Sequence, residues 1–387
     1  METAWIVAAK RTPFTRAGKG ALAAARPDDW LAALFRHLLE TLPRGAQDRL
    51  DEVVVGCAYP EAEQGRNAAR LVALNAGVPD RVPAMTLTRM CASSLEATAV
   101  ACAKIRLGEA RLVLVGGMES MTRLPTGGIK PSPNPALMER RPEAYMAMGL
   151  TAERVAARYR ISRADQDAWA LRSHSRAAAA RTAGRFADEI LAVEVPGENG
   201  VTRVTQDDAL RPDTSLEKLA ALKPAFQEDG SVTAGNACPT SDGAAALVVA
   251  SGTVVRELEL KPLGRFVSYA VGGVDPALMG VGPVVAVPVA LARAGLEPER
   301  IDRIELNEAF ASQVLAVMRE LKLPEARTNL QGGALALGHP LGATGARLVG
   351  TLLRQLERER LRYGLATLCV GGGMGAAMVL ENAEVGA

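Results

Sequence analysis

The sequence predicts a layered α/β fold made of two related halves. Strand-like and helix-like segments alternate from the first residues onward, which is typical of α/β architectures. A similar order of segments returns about 250 residues later, and self-similarity at a long, fixed separation indicates a repeated unit. The chain has 387 residues, which is enough for two or three packed units.

The elements of the first half follow one another in a regular alternation. The apolar run at residues 5–9 predicts a strand, and the apolar positions of residues 30–42 recur at helical spacing. Residues 53–55 predict a buried strand, residues 93–105 a helix, and residues 112–115 a strand that ends at two glycines. This order predicts one α/β half.

Three matches support a duplication. Residues 49–53 resemble residues 300–304, and the segment opened by Cys91 has a counterpart in the glycine-rich segment around His339. Each of these two segments leads to an apolar strand that ends in glycines followed by a methionine. Chance similarity of two α/β halves is the alternative, but three matches in one order favour duplication. The duplication would place two helix N-termini, one with Cys91 and one near His339, towards a shared centre.

A segment of different composition separates the halves. Residues 119–145 are rich in proline, glycine and methionine, so long regular elements are not expected there. Two helical stretches follow, and the second begins with a capping-box pattern at Ser162 and Asp165. We predict an N-terminal half at residues 1–118 and about 240–258, a loop domain at 119–239 that covers the site, and a C-terminal half at 259–387.

The composition argues against several functional classes. The net charge is only +2 and aromatic residues make up 4%, so nucleic acid is not an expected partner. We found no apolar run of about 18 residues and no targeting signal, so we expect no membrane partner and a cytoplasmic location. The 5 cysteines and 3 histidines lack metal-ligand spacing. Neither a dinucleotide-binding nor a phosphate-binding glycine motif is present.

Cys91 is the strongest candidate nucleophile. It follows the strand-like residues 82–87 and lies at a helix start, where the helix dipole and a neighbouring Arg89 would favour a thiolate. A thiolate is a strong nucleophile and a good acyl carrier. The alternative is a small buried apolar residue, and we assign that alternative to Cys57 and Cys102, which lie in apolar segments.

Three further positions carry groups suited to proton transfer or to oxyanion binding. His339 lies between glycines, where backbone and substrate can approach closely. Asn307 follows a strand-like segment, a position that suits a water, an oxyanion or a turn. Cys369 ends an apolar strand and precedes three glycines. His37 and His174 lie among charged helical residues, and we expect them at the surface.

Cys91, Asn307, His339 and Cys369, with their neighbours and in this order along the chain, resemble the four signature blocks of the thiolase family. The blocks are Cys91-x-Ser93-Ser94, Asn307-Glu308-Ala309-Phe310, Gly338-His339-Pro340 and Cys369-x-Gly371. The resemblance covers almost the whole chain. It implies a five-layered αβαβα sandwich of two duplicated halves with an inserted loop domain, in agreement with the repeat.

The resemblance implies a role for each residue. Cys91 would accept the acyl group, His339 would take its proton, and Cys369 would act as acid and base on the acetyl carbanion. Asn307 would hold a water that forms one oxyanion hole with His339, and the backbone N–H groups of Cys91 and Gly371 would form the other. The implied reaction is CoA-dependent thiolytic cleavage of a 3-ketoacyl-CoA.

The resemblance also implies how substrate is bound. Coenzyme A would be a substrate, with no tightly bound cofactor and no metal. Arg211 would contact its adenine nucleotide, and Cys238 stands where the family usually has a serine that hydrogen-bonds the pantetheine arm. Because a thiol is a weaker hydrogen-bond partner than a hydroxyl, that contact would be weaker here. A homo-oligomer, either a dimer or a tetramer, is expected.

The resemblance favours the degradative, fatty-acid-oxidising branch. Ala147 stands where short-chain biosynthetic thiolases carry a histidine before Met-Gly, whereas residues 63–67 and 148–153 look like the degradative branch. Ala92 replaces the glycine usual in that branch. A short-chain acetoacetyl-CoA thiolase acting in the condensing direction is the alternative. A ketoacyl synthase, a cysteine hydrolase or a non-catalytic CoA-binding relative would lack one of the three main reactive residues.

Overall fold

Ten strands form one continuous sheet in the computed structural model, which describes residues 2–197 and 200–385. A separate hairpin, β6–β7, completes the set of strands. The strands are β1 (Ala4–Arg11), β2 (Thr15–Arg16), β3 (Glu52–Gly56), β4 (Ala84–Leu87), β5 (Leu112–Ser120), β6 (Val193–Gly197), β7 (Gly200–Val204), β8 (Ser241–Ser251), β9 (Gly264–Gly273), β10 (Arg303–Leu306), β11 (Tyr363–Val370) and β12 (Met374–Asn382).

The helices alternate with these strands in both halves and also build much of the loop domain. They are α1 (Pro27–Thr41), α2 (Ala68–Asn75), α3 (Ser93–Leu107), α4 (Pro135–Arg140), α5 (Met148–Arg158), α6 (Arg163–Thr182), α7 (Leu216–Ala220), α8 (Gly252–Glu257), α9 (Gly282–Ala294), α10 (Ala311–Leu321), α11 (Ala334–Leu337) and α12 (Leu341–Glu359). The predicted helices at residues 30–42 and 93–105 are therefore α1 and α3.

The two halves of the sheet have the same strand order. The first half runs β4-β3-β5-β8-β1 and the second runs β10-β11-β12-β9. In each half a parallel pair (β3–β5, β10–β11) is followed by antiparallel pairs. In the second half, a parallel bridge between Ile304 of β10 and Thr328 lies in the position that β4 occupies beside β3 in the first half. The halves join where β1 pairs with β9. The predicted α/β class with two related halves is confirmed.

The three largest hydrophobic cores hold five layers together. The central core packs α3 and α12 between the inner faces of the two sheet halves, with Leu95 and Leu348 among its buried residues. One outer core packs α1 and α2 on the first half, around Phe35. The other packs α9 and α10 on the second half, around Val287 and Val314. The αβαβα sandwich is thus confirmed, with α3 and α12 as its middle layer.

The N-terminal turns of the two central helices touch at the backbone. A Cβ atom on Gly345 of α12 would lie only 2.3 Å from the backbone nitrogen of Leu95 in α3. The backbone N–H of Ala346 donates a hydrogen bond of 2.9 Å to Ser94 Oγ. Because the contact has no room for a side chain, glycine is required at this crossing.

The loop domain contains more regular structure than its composition indicates. The predicted capping box of α6 is present, since Ser162 accepts from the Asp165 N–H and the Asp165 side chain accepts from Ser162. The β6–β7 hairpin was not predicted. Strand β5 also continues past the predicted strand end, because Met118 and Glu119 still pair with β8. Glu119 is therefore part of the first half of the sheet.

One helical segment, Pro276–Ala294, is long and apolar enough by length and composition to cross a membrane. The expectation that no such stretch exists is therefore wrong. The segment is 56% buried in its most apolar window, and its helix α9 packs on β9 and β12. Core packing therefore accounts for its apolar character.

We expect Gly345→Ala to destabilise the protein, because the new methyl group would press on the backbone of α3. Overpacking of this kind costs about 1–3 kcal/mol. Gly350→Ala, on the same helix, is the matched control, since a Cβ there meets only the Ala9 methyl, at 3.1 Å. Its gain of about 1 kcal/mol in helix propensity should offset mild crowding. Thermal unfolding of both variants tests the contact, and equal melting temperatures would contradict it.

Candidate active site

Cys91 lies in a single 3₁₀ turn, Met90–Ala92, between β4 and α3. Met90 has a left-handed backbone with φ of 45°, which is uncommon for a residue with a side chain. Ser93 stabilises the turn, because its hydroxyl donates to Met90 O (2.6 Å) and accepts from the Arg89 N–H (3.0 Å). Strained backbone of this kind is found where a residue is held for function.

The surroundings of Cys91 favour the neutral thiol, contrary to the thiolate expected from the sequence. Burial raises the pKa of Cys91 to about 11, and the charge of Glu119 adds to the increase. The backbone N–H groups of Gly371 and of Cys91 itself oppose it by hydrogen bonding to the sulfur. Arg89 does not lower this pKa, because it forms an ion pair with Glu96. Deprotonation of Cys91 therefore requires a base.

His339 is a buried, neutral imidazole. Its Nδ1 lies 2.7 Å from Thr344 Oγ1, and that hydroxyl donates to Pro340 O. The network thus assigns the proton to Nδ1 and leaves Nε2 as an acceptor. Nε2 lies 3.3 Å from Asn307 Nδ2, which donates to it. Burial, and then the charge of Arg347, lowers the pKa of His339 to about 3. An unprotonated Nε2 is therefore available as a base.

Asn307 faces His339 from the end of β10. Its backbone N–H donates to Thr367 O at 2.9 Å, which fixes it to the neighbouring strand β11. Its side chain is buried, and Oδ1 has no hydrogen-bond partner among the described residues. A buried carbonyl oxygen normally accepts a hydrogen bond, so this oxygen is suited to a donor that enters the site.

Glu308, next to Asn307, joins the loop domain to the His339 loop. Its buried carboxylate accepts from Trp169 Nε1 (3.1 Å), Ser173 Oγ (2.5 Å), Asn329 Nδ2 (2.9 Å) and the Leu335 N–H (3.3 Å). Burial raises its pKa, and these donors favour the charged form. The sequence analysis gave Glu308 no role, although it lies within the Asn-Glu-Ala-Phe block.

Cys369 and Cys238 lie in the same site as Cys91. Cys369 is buried near the end of β11, in an apolar cluster. Burial raises the pKa of Cys369 well above its usual value, and the charges of Cys91 and Cys238 raise it further. The pKa of Cys238 rises to about 12 for the same reasons, first burial and then Cys91. Gly371 lies beside the Cys91 turn, since a Cβ there would be 3.7 Å from Met90.

Arg211 lies at an exposed position whose backbone is fixed by a histidine. The Arg211 N–H donates to His174 Nδ1 at 3.2 Å. The prediction that His174 lies at the surface is wrong, because this residue of α6 is buried. Burial, and then the charge of Arg211, lowers the pKa of His174 to about 4. His174 therefore acts as a neutral acceptor that holds the 211–213 segment.

Cys57 is buried, as predicted, but polar groups do converge on it, which the sequence did not indicate. Its buried sulfur lies 3.3 Å from Gln64 Nε2 and 3.9 Å from Glu119 Oε1. Burial, and then the charge of Glu119, raises the pKa of Cys57 well above its usual value. Cys57 is thus an unreactive neighbour of a buried carboxylate.

Sequence comparisons identify the same family across the chain. The description "Thiolase, N-terminal domain" matches residues 4–253, and "Thiolase, C-terminal domain" matches residues 260–382. A 3-ketoacyl-CoA thiolase of Bacillus subtilis is 48% identical over 98% of this chain and 100% of its own length. A beta-ketoadipyl-CoA thiolase of Pseudomonas putida is 46% identical over 99% of this chain and 100% of its own length.

A comparison with solved structures indicates the same family. The crystal structure of human mitochondrial 3-ketoacyl-CoA thiolase in complex with CoA superimposes with a TM-score of 0.89 at 38% sequence identity. The match covers 98% of each chain. The similarity therefore includes both halves and the loop domain.

Proposed function

The chain belongs to the thiolase family, and on this premise we propose that it cleaves a 3-ketoacyl-CoA with free CoA. The products are acetyl-CoA and a shortened acyl-CoA. The observation that carries the proposal is the meeting of a partly exposed Cys91 thiol with His339, Asn307 and Cys369 at the contact between the two halves. No single half could supply this set.

The first step is attack of Cys91 on the 3-keto carbonyl carbon. His339 Nε2, which is unprotonated, takes the thiol proton as the C–S bond forms, so that no free thiolate has to accumulate. The N–H groups of Cys91 and Gly371 both lower the pKa of the Cys91 thiol, which indicates that they are directed towards the sulfur. They are suited to stabilise the oxyanion of the tetrahedral intermediate, and each such donor contributes about 3–4 kcal/mol in related acyl transfers.

The second step breaks the carbon–carbon bond. As the oxyanion collapses, acetyl-CoA leaves as an enolate, which must take a proton on its carbon. We assign this proton to the Cys369 thiol, whose raised pKa keeps it protonated until then. His339 and a water held by the free Oδ1 of Asn307 would stabilise the enolate oxygen. The Cys369 thiolate then takes the proton of a second CoA thiol, which attacks the thioester. The Cys91 sulfur leaves and takes back the proton held by His339, so the acyl-CoA is released and all three groups return to their starting forms.

The proposed CoA contacts are Arg211 and Cys238. The fixed backbone at Arg211 leaves its guanidinium exposed and suited to the phosphates of the adenine nucleotide. Cys238 lies within the electrostatic reach of Cys91, which suits a residue along the pantetheine arm. CoA is a substrate in this scheme, and we propose no tightly bound cofactor.

We propose fatty-acid β-oxidation as the pathway. Relatives named for 3-ketoacyl-CoA and for beta-ketoadipyl-CoA are almost equally similar. The residues that surround Cys369 favour an apolar acyl chain, because Met148, Met279 and Phe310 belong to its cluster. The dicarboxylic beta-ketoadipyl substrate is the second candidate, and it is favoured by the similarity to relatives from Pseudomonas and Escherichia coli that are named for this substrate.

We further propose a cytoplasmic homo-oligomer. All five cysteines are free thiols, as is usual in a reducing compartment. Strand β4 is an open edge of the sheet with partly exposed side chains, and such edges are commonly paired with another chain or protected. Light scattering should give a dimer or a tetramer, whereas a monomer would contradict the assembly. Cell fractionation tests the location.

Cys369→Ser should separate the two chemical steps. We expect the variant to form an acetyl thioester on Cys91 from acetyl-CoA but to exchange the acetyl α-protons with solvent at least about 100-fold more slowly than the wild type. Mass spectrometry gives the first result and deuterium exchange gives the second. Normal α-proton exchange would rule out the proposed role of Cys369.

A substrate panel tests the function and the chain-length preference. We expect CoA-dependent loss of 3-ketoacyl-CoA, with higher kcat/KM at eight and twelve carbons than at four, because each buried methylene contributes roughly 0.8 kcal/mol. Ala147 is exposed immediately before Met148, and Ala147→His should shift the preference towards four carbons. A panel with no CoA-dependent cleavage would overturn the function, and faster cleavage of 3-oxoadipyl-CoA would favour the second candidate.

A further inference from the structure

We propose that Glu119 is a positioning residue, whose buried carboxylate holds the start of α12, and with it His339, against the Cys91 side of the site. This inference rests on the proposed function of Cys91 and His339. Glu119 is not placed to touch the reacting atoms, so its effect on the reaction would pass through the groups that it holds.

One carboxylate oxygen joins the two halves. Glu119 Oε2 accepts from the Ala58 N–H (2.8 Å), which follows β3 in the first half, and from the Gly342 N–H (2.9 Å), in the first turn of α12. The backbones of α12 and β5 are in direct contact here, because a Cβ on Gly342 would lie 2.4 Å from Met118 O. A negative charge at a helix N-terminus is favourable, so Glu119 caps α12 from the opposite half.

The other oxygen is held within the first half. Glu119 Oε1 accepts from Gln64 Nε2 (2.8 Å) and from the Tyr59 N–H (3.3 Å). Gln64 is itself fixed, because its Oε1 accepts from the Ser120 N–H at 2.6 Å. Four N–H donors therefore determine the carboxylate position, with the Cys57 thiol as a fifth, longer contact at 3.9 Å. A rigid anchor can transmit that position to α12.

The first turn of α12 also orients the base. Thr344, two residues after Gly342, pairs with Nδ1 of His339. A shift of this turn would move the Thr344 hydroxyl and rotate the imidazole relative to Asn307. Burial raises the pKa of Glu119, while its four N–H donors favour the charged form, and that charge raises the pKa of Cys91. Glu119 thus both places the base and disfavours a free thiolate.

The test compares Glu119→Gln and Glu119→Asp with the wild type in two assays. The first is thiolysis of a 3-ketoacyl-CoA, and the second is alkylation of Cys91 by iodoacetamide across pH, read by mass spectrometry on the Cys91 peptide. Glu305→Gln is the matched control, since Glu305 is a buried carboxylate that is not among the groups that shift the pKa of Cys91.

The rate of thiolysis and the rate of Cys91 alkylation should change in opposite directions in Glu119→Gln. We expect kcat of thiolysis to fall at least about tenfold while KM for CoA stays within about threefold, because the defect lies in the base and not in binding. Alkylation of Cys91 at pH 8 should become at least about threefold faster, because a charge that opposes the thiolate is gone. Glu305→Gln should keep the wild-type alkylation rate within about twofold.

Glu119→Asp separates position from charge. It keeps the charge but shortens the reach, so we expect thiolysis to fall while alkylation stays within about twofold of the wild type. This variant decides the matter if Glu119→Gln does not fold. Unchanged thiolysis in the variants, or a parallel loss of thiolysis and alkylation, would overturn the positioning role. A wild type without CoA-dependent cleavage would refute the proposed function instead. In that case unchanged alkylation of Cys91 in Glu119→Gln would still contradict the proposed effect of Glu119 on Cys91.

Discussion

The backbone contact between the N-terminal turns of α3 and α12 is the constraint on which the rest of the structure depends. Gly345 against Leu95, and Gly342 against Met118, leave no space for a side chain, so the two halves meet at a fixed distance. Duplicated halves place a helix start from each side at this contact. In the proposed mechanism the nucleophile comes from one half and the base from the other, so the proposed site forms only when the halves are packed.

The same packing determines the charge state of the site. Burial is the largest cause of the raised pKa values of Cys91 and Cys369 and of the lowered pKa of His339. Burial therefore favours the neutral form of all three groups, and in the proposed mechanism charge develops only during the reaction. A neutral thiol beside a neutral imidazole can exchange one proton without separating charge beforehand. The backbone N–H groups at the Cys91 sulfur are fixed donors that gain strength as negative charge appears.

Much of the fold could be predicted because it depends on local patterns. Alternating apolar segments predicted the strands and helices, and the four blocks predicted Cys91, Asn307, His339 and Cys369. Glu119 and Glu308 were missed because their donors are distant in sequence, such as Gly342 for the one and Trp169 for the other. The thiolate expectation failed because it did not include burial, which is the largest cause of the raised pKa of Cys91. It also counted the charge of Arg89 without its partner Glu96.

The proposed mechanism is tested most directly by finding which residue carries the acyl group during turnover. The wild type would be mixed with a 3-ketoacyl-CoA in the absence of free CoA, quenched with acid, digested and analysed by mass spectrometry. We expect a chain-shortened acyl group on the peptide that contains Cys91, and release of one acetyl-CoA for each acylated chain. An acyl group on Cys369 or Cys238, or acetyl-CoA release without any acylated peptide, would contradict it.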